Sequence, residues 1–160
     1  MKILIVSDSH GRYANLDKVI EKVQPIDMLI HLGDIEGDCD YIEAIASCET
    51  QMVSGNNDYF SSLPREKLIH VGNYKVFITH GHYYGVSYST VNLKDKAREL
   101  GADIAMYGHT HIPGVDLSQD IWIINPGSIS LPRQAGNKPS FIIMDIDKNG
   151  KAHFTINYLK

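Results

Sequence analysis

The chain is poor in cysteine, and the two residues it has, Cys39 and Cys48, lie nine positions apart. They form no Cys-x-x-Cys pair and are too few for a disulfide framework. A stapled secreted scaffold and a thiolate-built zinc knot are thereby excluded, and free thiols in a reducing cytoplasm are expected. Long hydrophobic runs are also missing. The apolar stretch Ile3–Val6 is far too short for a signal-peptide core or a membrane span. Positive charge is not in excess either: 15 Lys and Arg face 19 Asp and Glu, for a net charge of -4. No basic field advertises a nucleic-acid duplex or an anionic membrane, so neither stable nucleic-acid binding nor membrane association is expected. No repeat, low-complexity tract or linker interrupts the chain. With 43% hydrophobic and 21% charged residues, residues 1–160 are expected to fold as one globular domain.

What is present is an alternation of buried strands and helices. Ile3 to Val6 is a continuous apolar run, as expected of a strand covered on both faces. Leu16, Val19, Ile20 and Val23 recur at helical spacing, with Asn15 as cap and Pro25 as stop. Met28 to Leu32 reads as a second strand. Asp40 with Glu43 resembles a capping box before Ile42, Ile45 and Ala46. Gln51 to Val53 reads as a third strand. This β-α-β-α-β order implies parallel pairing through helical crossovers. Further on, Lys67 to Val71 and Lys75 to Thr79 form a hairpin about Gly72-Asn73, and a helix spans about 90 to 100, closed by Gly101. Strands are expected at 103–107, 121–124, 141–146 and 152–158, with an irregular loop over 126–139. About ten strands and three helices result, which suggests two packed mixed sheets with helices outside.

Chemistry-bearing residues gather where these strands end. Asp8-Ser9-His10 follows the first strand, Gly33-Asp34 the second and Gly55-Asn56-Asn57-Asp58 the third. His80-Gly81-His82 and Gly108-His109-Thr110-His111 follow two strands of the second half. In extended backbone, residues two apart point the same way, so each Asp-x-His or His-x-His unit is expected to project a pair of ligands from a sheet end. Five of the eight histidines sit in such units. One His alone is usually a satisfied structural residue, and Gly-Asn-Asn-Asp alone is a turn composition; their recurrence at successive strand ends points to a metal centre.

The donors are carboxylate and amide oxygens with imidazole nitrogens, a set that suits manganese, iron, zinc or similar cations. Asp8, His10, Asp34, Asn56, His80, His109 and His111 are too many for one ion. With Asp34 bridging, each of two ions receives four protein ligands. Two cations about 3.5–4 Å apart can hold a hydroxide and stabilise both oxygens of an in-line displacement at phosphorus. Against Asp8, Asp34 and that hydroxide they leave about one positive charge, which favours a phosphate anion.

In this order and spacing the blocks resemble the calcineurin-like metallophosphoesterase superfamily, from Asp8 to about Ser128. The short length and Asn125-Pro126-Gly127-Ser128 resemble its small single-domain phosphodiesterase branch of bacteria and archaea. The resemblance implies an α/β fold, a four-layer α/β/β/α sandwich of two mixed sheets. It implies one metal site from Asp8, His10, Asp34 and His111 and another from Asp34, Asn56, His80 and His109. Manganese is the first expectation for both ions, with nickel, iron or zinc as alternatives. Many superfamily members carry a His directly after the ligand Asn, and it serves to protonate the leaving group. Here Asn57 holds that catalytic position and is no acid near neutral pH. His82 is the candidate substitute. Asp58 is expected to orient its loop, and Arg12 is a candidate for bidentate contact with substrate phosphate. Tyr83 and Tyr84 are candidates for a pocket wall, while His31, His70 and His153 are expected to be structural.

The expected activity is therefore a two-metal phosphodiesterase that uses a metal-bridging hydroxide on a small phosphoester, alone or as a homo-oligomer. The rival is a non-catalytic or weakly catalytic scaffold, because a retromer subunit resembles this fold. A nuclease reading wants a basic groove that this composition does not supply.

Overall fold

Strict alternation along the strands builds three apolar layers. The computed structural model describes residues 1–160. Its strands are β1 (Lys2–Val6), β2 (Met28–His31), β3 (Glu49–Met52), β4 (Glu66–Val71), β5 (Tyr74–Thr79), β6 (Ile104–Met106), β7 (Pro113–Asp116), β8 (Trp122–Pro126), β9 (Ser140–Ile146) and β10 (Ala152–Tyr158). Its helices are α1 (Ala14–Val23), α2 (Cys39–Ala46) and α3 (Val91–Glu99), with a 3₁₀ turn at His82–Tyr84. Ile3, Ile5, Met28, Ile30, Ile142 and Met144 point into one core with Val76, Ile78, Ile104, Met106 and Ile124. Their strand neighbours Leu4, Val6, Leu29, Phe141 and Ile143 face the other way, onto Leu16, Val19, Ile20 and Ile42 of α1 and α2. Phe77, Ala105 and Ile123 likewise turn outward onto Leu93 and Ala97 of α3. The period of two thus places each strand residue in a central or an outer layer.

The layers run helices, sheet, sheet, helix, the expected α/β/β/α sandwich. One sheet has the order β10-β9-β1-β2-β3 and the other β4-β5-β6-β8-β7. Both are mixed: β1, β2 and β3 are parallel, as are β5, β6 and β8, while β9, β10, β4 and β7 join antiparallel. The carboxyl ends of the parallel strands open onto one end of the sandwich, where α/β sheets bind ligands.

Several local expectations are corrected. Asn15 does not cap α1: its N-cap is Tyr13 without a side-chain cap bond, and Asn15 Nδ2 donates instead to the Ile129 carbonyl. The cap of α2 is Asp38, whose Oδ1 accepts from Asp40 N–H at 2.9 Å and Tyr41 N–H at 3.2 Å, so the helix begins before the expected Asp40/Glu43 box. The third strand starts at Glu49, because the register with β2 pairs Met28 with Glu49. β7 was not anticipated. Pro113-Gly114 reads as a breaker, and β7 is tolerated because it lies at the sheet edge, half-buried throughout. No helix is long and apolar enough to cross a membrane.

Candidate metal centre

Six loops, each leaving a parallel strand, meet at the open end of the sandwich. Asp8 and His10 follow β1, Asp34 follows β2, Asn56 follows β3, His80 follows β5, and His109 and His111 follow β6. The end of β8 and the loop after it contribute no member of that set but brace two of the others. Ser128 Oγ donates to the Asp8 carbonyl at 2.8 Å, and Asn125 Nδ2 donates to Gly108 O and Thr110 Oγ1.

The backbone is not extended here, contrary to the period-two reasoning. Asp8, His10, Asp34, His109 and His111 all have positive φ, between 47° and 67°. Non-glycine residues seldom adopt this left-handed conformation, and its concentration in five of the seven expected ligands marks a functional site. The pairs converge because each loop coils sharply off its strand. Close loop packing demands glycine at two points. A Cβ on Gly55 would stand 2.2 Å from Asp34 Oδ1, and one on Gly108 would stand 2.0 Å from Ser7 Oγ.

All seven side chains come together. Asp8 Oδ1 lies 3.0 Å from His111 Nε2 and 3.9 Å from the Nε2 atoms of His10 and His80. Asp34 Oδ2 lies 3.4 Å from His80 Nε2 and 3.8 Å from His10 Nε2, between the two halves of the cluster. Asn56 Oδ1 lies 3.1 Å from His80 Nε2 and 3.0 Å from His109 Nδ1. Two tight groupings can each hold an ion: Asp8 with His10 and His111, and Asp8 with Asp34 and His80. Asp8 is common to both, so it shares the central place that the resemblance gave to Asp34 alone.

The partners on the far side of each ring fix the chemistry. His80 Nδ1 meets the Leu32 carbonyl at 2.7 Å and His111 Nδ1 meets the Leu131 carbonyl at 2.6 Å. A carbonyl only accepts, so both rings donate outward through Nδ1–H, and in the neutral ring Nε2 faces the centre with its lone pair. His10 does the same through Glu36 Oε2 at 2.6 Å. Lone pairs therefore face lone pairs: His10 and His111 present Nε2 atoms 3.4 Å apart, and buried Asp8 Oδ1 has no hydrogen-bond partner. A buried carboxylate oxygen without a donor, faced by imidazole nitrogens, fits cations.

Electrostatics point the same way. Burial opposes charge on Asp8 and Asp34, but His111 and then His80 hold the Asp8 carboxyl below the usual range, and His80 with Asn57 does the same for Asp34. Burial opposes charge on His80 too, yet Asp34 and Asp8 raise it. The field in the cluster favours positive charge between the carboxylates. At its edge, burial and then the charges of His80 and His109 push His82 down to about 4, a neutral ring at neutral pH.

Asn57 is committed to the cluster's frame. Its N–H donates to Asp34 Oδ1 at 2.9 Å and its Nδ2 to Asp34 Oδ2 at 2.7 Å. Asp58 ties the loops as expected, accepting from the N–H groups of Ile35, Glu36 and Gly55. His31 is a satisfied core histidine, with Nδ1 accepting from Gly33 N–H and Nε2 against Ser9 Oγ; burial pushes it down to about 4. Arg12 is exposed, and the contacts it makes are through its backbone. Glu36, Asn125, Ser128 and the Leu32 and Leu131 carbonyls were not anticipated, and neither was Arg65. Arg65 lines a cleft of about 370 Å³ with Asn56, Tyr59, His82 and Tyr83.

The sequence profile of the calcineurin-like phosphoesterase superfamily domain matches residues 1–149. A probable metallophosphoesterase of Bacillus subtilis, YsnB, is 38% identical over 136 residues, 83% of this chain and 78% of that protein. A Methanocaldococcus jannaschii protein named as a phosphodiesterase is 29% identical over 145 residues, 79% of this chain and 83% of that one. Among solved structures, a predicted phosphoesterase from Streptococcus pneumoniae superposes with a TM-score of 0.82 at 31% identity, covering 99% of this chain and 88% of that one. Zinc-complexed Vps29 of Entamoeba histolytica superposes with a TM-score of 0.73 at 22% identity, each chain covered to 99%, a likeness of fold alone.

Proposed function

The chain belongs to the calcineurin-like phosphoesterase superfamily of metal-dependent hydrolases, and from that premise we propose that it is a two-metal phosphodiesterase acting on a small phosphoester. The observation that carries this reading is the inward-facing set of acceptors. Two carboxylates, an amide oxygen and four imidazoles converge, with three rings anchored from behind and Asp8 Oδ1 left without a donor.

Asp8, His10, Asp34 and His111 would hold one ion, and Asp34, Asn56, His80 and His109 the other, manganese first. Divalent cations there would polarise phosphoryl oxygens and bring the pKa of a water towards neutrality, so that a hydroxide nucleophile is available. The chain's own residues set the geometry. Leu32, Leu131 and Glu36 fix ring tautomers, Asn57 holds both oxygens of Asp34, and Ser128 and Asn125 hold the loops that carry Asp8 and His109. Because Asn57 is committed to Asp34 and has no acidic proton, diesters with good leaving groups are the favoured substrates. His82, with Nδ1 unpartnered, is the remaining candidate for contact with the leaving group, and Arg12 for contact with a distal substrate oxygen. Residues 1–160 are proposed to act as one domain in the cytoplasm, in keeping with unpaired Cys39 and Cys48.

The scaffold alternative draws on the likeness of fold to Vps29. A scaffold has no need to keep all seven ligands and their rear supports, and the exposed Tyr59 and Tyr83 adjoin the cluster rather than a separate face. The test is hydrolysis of bis-p-nitrophenyl phosphate by metal-stripped protein, with and without manganese, beside Asp34→Asn and His80→Ala. Metal-dependent turnover lost in both variants is expected. No turnover with manganese, nickel, iron or zinc, despite bound metal, would overturn the proposal in favour of the scaffold.

A further inference from the structure

Two clefts flank the loop that runs from Ser54 to Arg65, and their charges differ. The one on the Asn57 side is lined by Glu36, Asp58 and Cys39 and carries no cation. The other, on the Asn56 side, is walled by Tyr59, His82 and Tyr83, shares Asp58 with the first and contains Arg65. The first therefore repels an anionic substrate reaching past the cluster, whereas the second offers it a cation, its one carboxylate being engaged by backbone N–H groups.

Arg65 is also free to bind. Its guanidinium carbon lies over the Tyr83 ring, 4.8 Å from the centroid, and the group takes part in no ion pair or side-chain hydrogen bond. The carboxylate that shares its cleft and the one next to it in sequence are already engaged. Asp58 accepts three backbone N–H groups, and the following residue, Glu66, accepts from Tyr84 Oη at 2.5 Å. A guanidinium supported by an aromatic ring keeps its N–H groups available to clasp a phosphate in two bonds. The aromatic walls suit the planar group of a nucleoside. His82 borders the same cleft with its Nδ1 buried and unpartnered.

Resting on the two-metal reading above, we propose that this cleft is a substrate subsite for a second, non-scissile phosphate of a nucleotide-type diester, clasped by Arg65 on its Tyr83 support. Arg65 is a specificity residue in this account: it selects among diesters and takes no part in the bond that breaks.

The test compares the adenylyl dinucleotide diester with and without a 5′-phosphate. Each is measured as substrate and as competitive inhibitor of bis-p-nitrophenyl phosphate hydrolysis, with manganese-loaded protein. The 5′-phosphate is expected to improve kcat/KM or the inhibition constant about tenfold. Arg65→Met is expected to bring that preference to about one, Arg65→Lys to retain part of it, and Lys22→Met, a helix-surface cation elsewhere, to retain all of it. Turnover of bis-p-nitrophenyl phosphate by the unaltered protein reports on the two-metal reading separately. If that turnover is present but the 5′-phosphate confers no preference, or the preference survives in Arg65→Met, the subsite is wrong while the two-metal reading stands. If neither dinucleotide is cleaved or inhibits, the subsite proposal is likewise overturned.

Discussion

Asn57 illustrates how a single side chain changes role with its partner. At the position where many relatives place a proton-donating His, this chain places an amide that donates twice to Asp34, through N–H and Nδ2. Groups that hold a ligand carboxylate in place typically contribute tenfold or more to metal affinity. Asn57→Ala is therefore expected to weaken manganese binding about tenfold, read by calorimetric titration, with the far-ultraviolet spectrum unchanged. Unaltered affinity would mean that the Asp34 rotamer is set by packing alone. The seven cluster residues were legible in the sequence because each is a donor type at a strand end, two residues from another or beside a glycine. Their supports were not. The Leu32 and Leu131 carbonyls carry no side-chain identity, and Glu36 reaches His10 only because β1 and β2 are parallel neighbours. The pair of hydrogen bonds from Asn57 to Asp34 was hidden for the same reason, since it joins loops 23 positions apart.

At the scale of elements, patterns of burial were readable and local stereochemistry was not. The alternation of Ile3, Leu4, Ile5 and Val6 between two cores follows from composition and a period of two. The left-handed turns at Asp8, His10, Asp34, His109 and His111 do not: Asp and His enter that region more readily than most residues, but residue type does not say which of them will. Ligand convergence was expected for a reason that the backbone does not use. Helix α2 offers a quantitative case. Both Asp38 and Asp40 are plausible caps by residue type, and the choice is made where the chain leaves β2 and turns. Asp38 Oδ1 accepts two orphan N–H groups, whereas Asp40 lies inside the first turn. Asp38→Ala is expected to destabilise the protein by about 1 kcal/mol, and Asp40→Ala by no more than about 0.5 kcal/mol, both measured as shifts in urea midpoint at constant m-value. Equal losses would mean that Asp38 is not the sole cap of the helix start.

For the molecule as a whole, the sandwich supplies rigidity and the open end concentrates cost. Three apolar layers lock both sheets, so the six loops cannot relax independently. Five left-handed ligand residues, each costing on the order of 1 kcal/mol, and a buried Asp8 oxygen without a donor are carried by that framework. Cations bind the folded arrangement and have little affinity for the dispersed ligands of the unfolded chain, so occupancy raises global stability by mass action. At a metal concentration one hundred times the dissociation constant, the gain is about 2.7 kcal/mol for one site. For a chain of this size, each kcal/mol moves the midpoint by roughly 2–4 °C. Manganese is thus expected to raise Tm by about 5–10 °C over metal-stripped protein, and chelation to reverse it. Asp34 touches both halves of the cluster, so Asp34→Asn is expected to lose most of the shift. Substitution of the exposed Glu99 on α3 is expected to leave the shift intact. A shift of the same size in Asp34→Asn would mean that the stabilising metal binds elsewhere on the surface, and that the acceptor-lined end of the sandwich meets its field with protons on His80 instead.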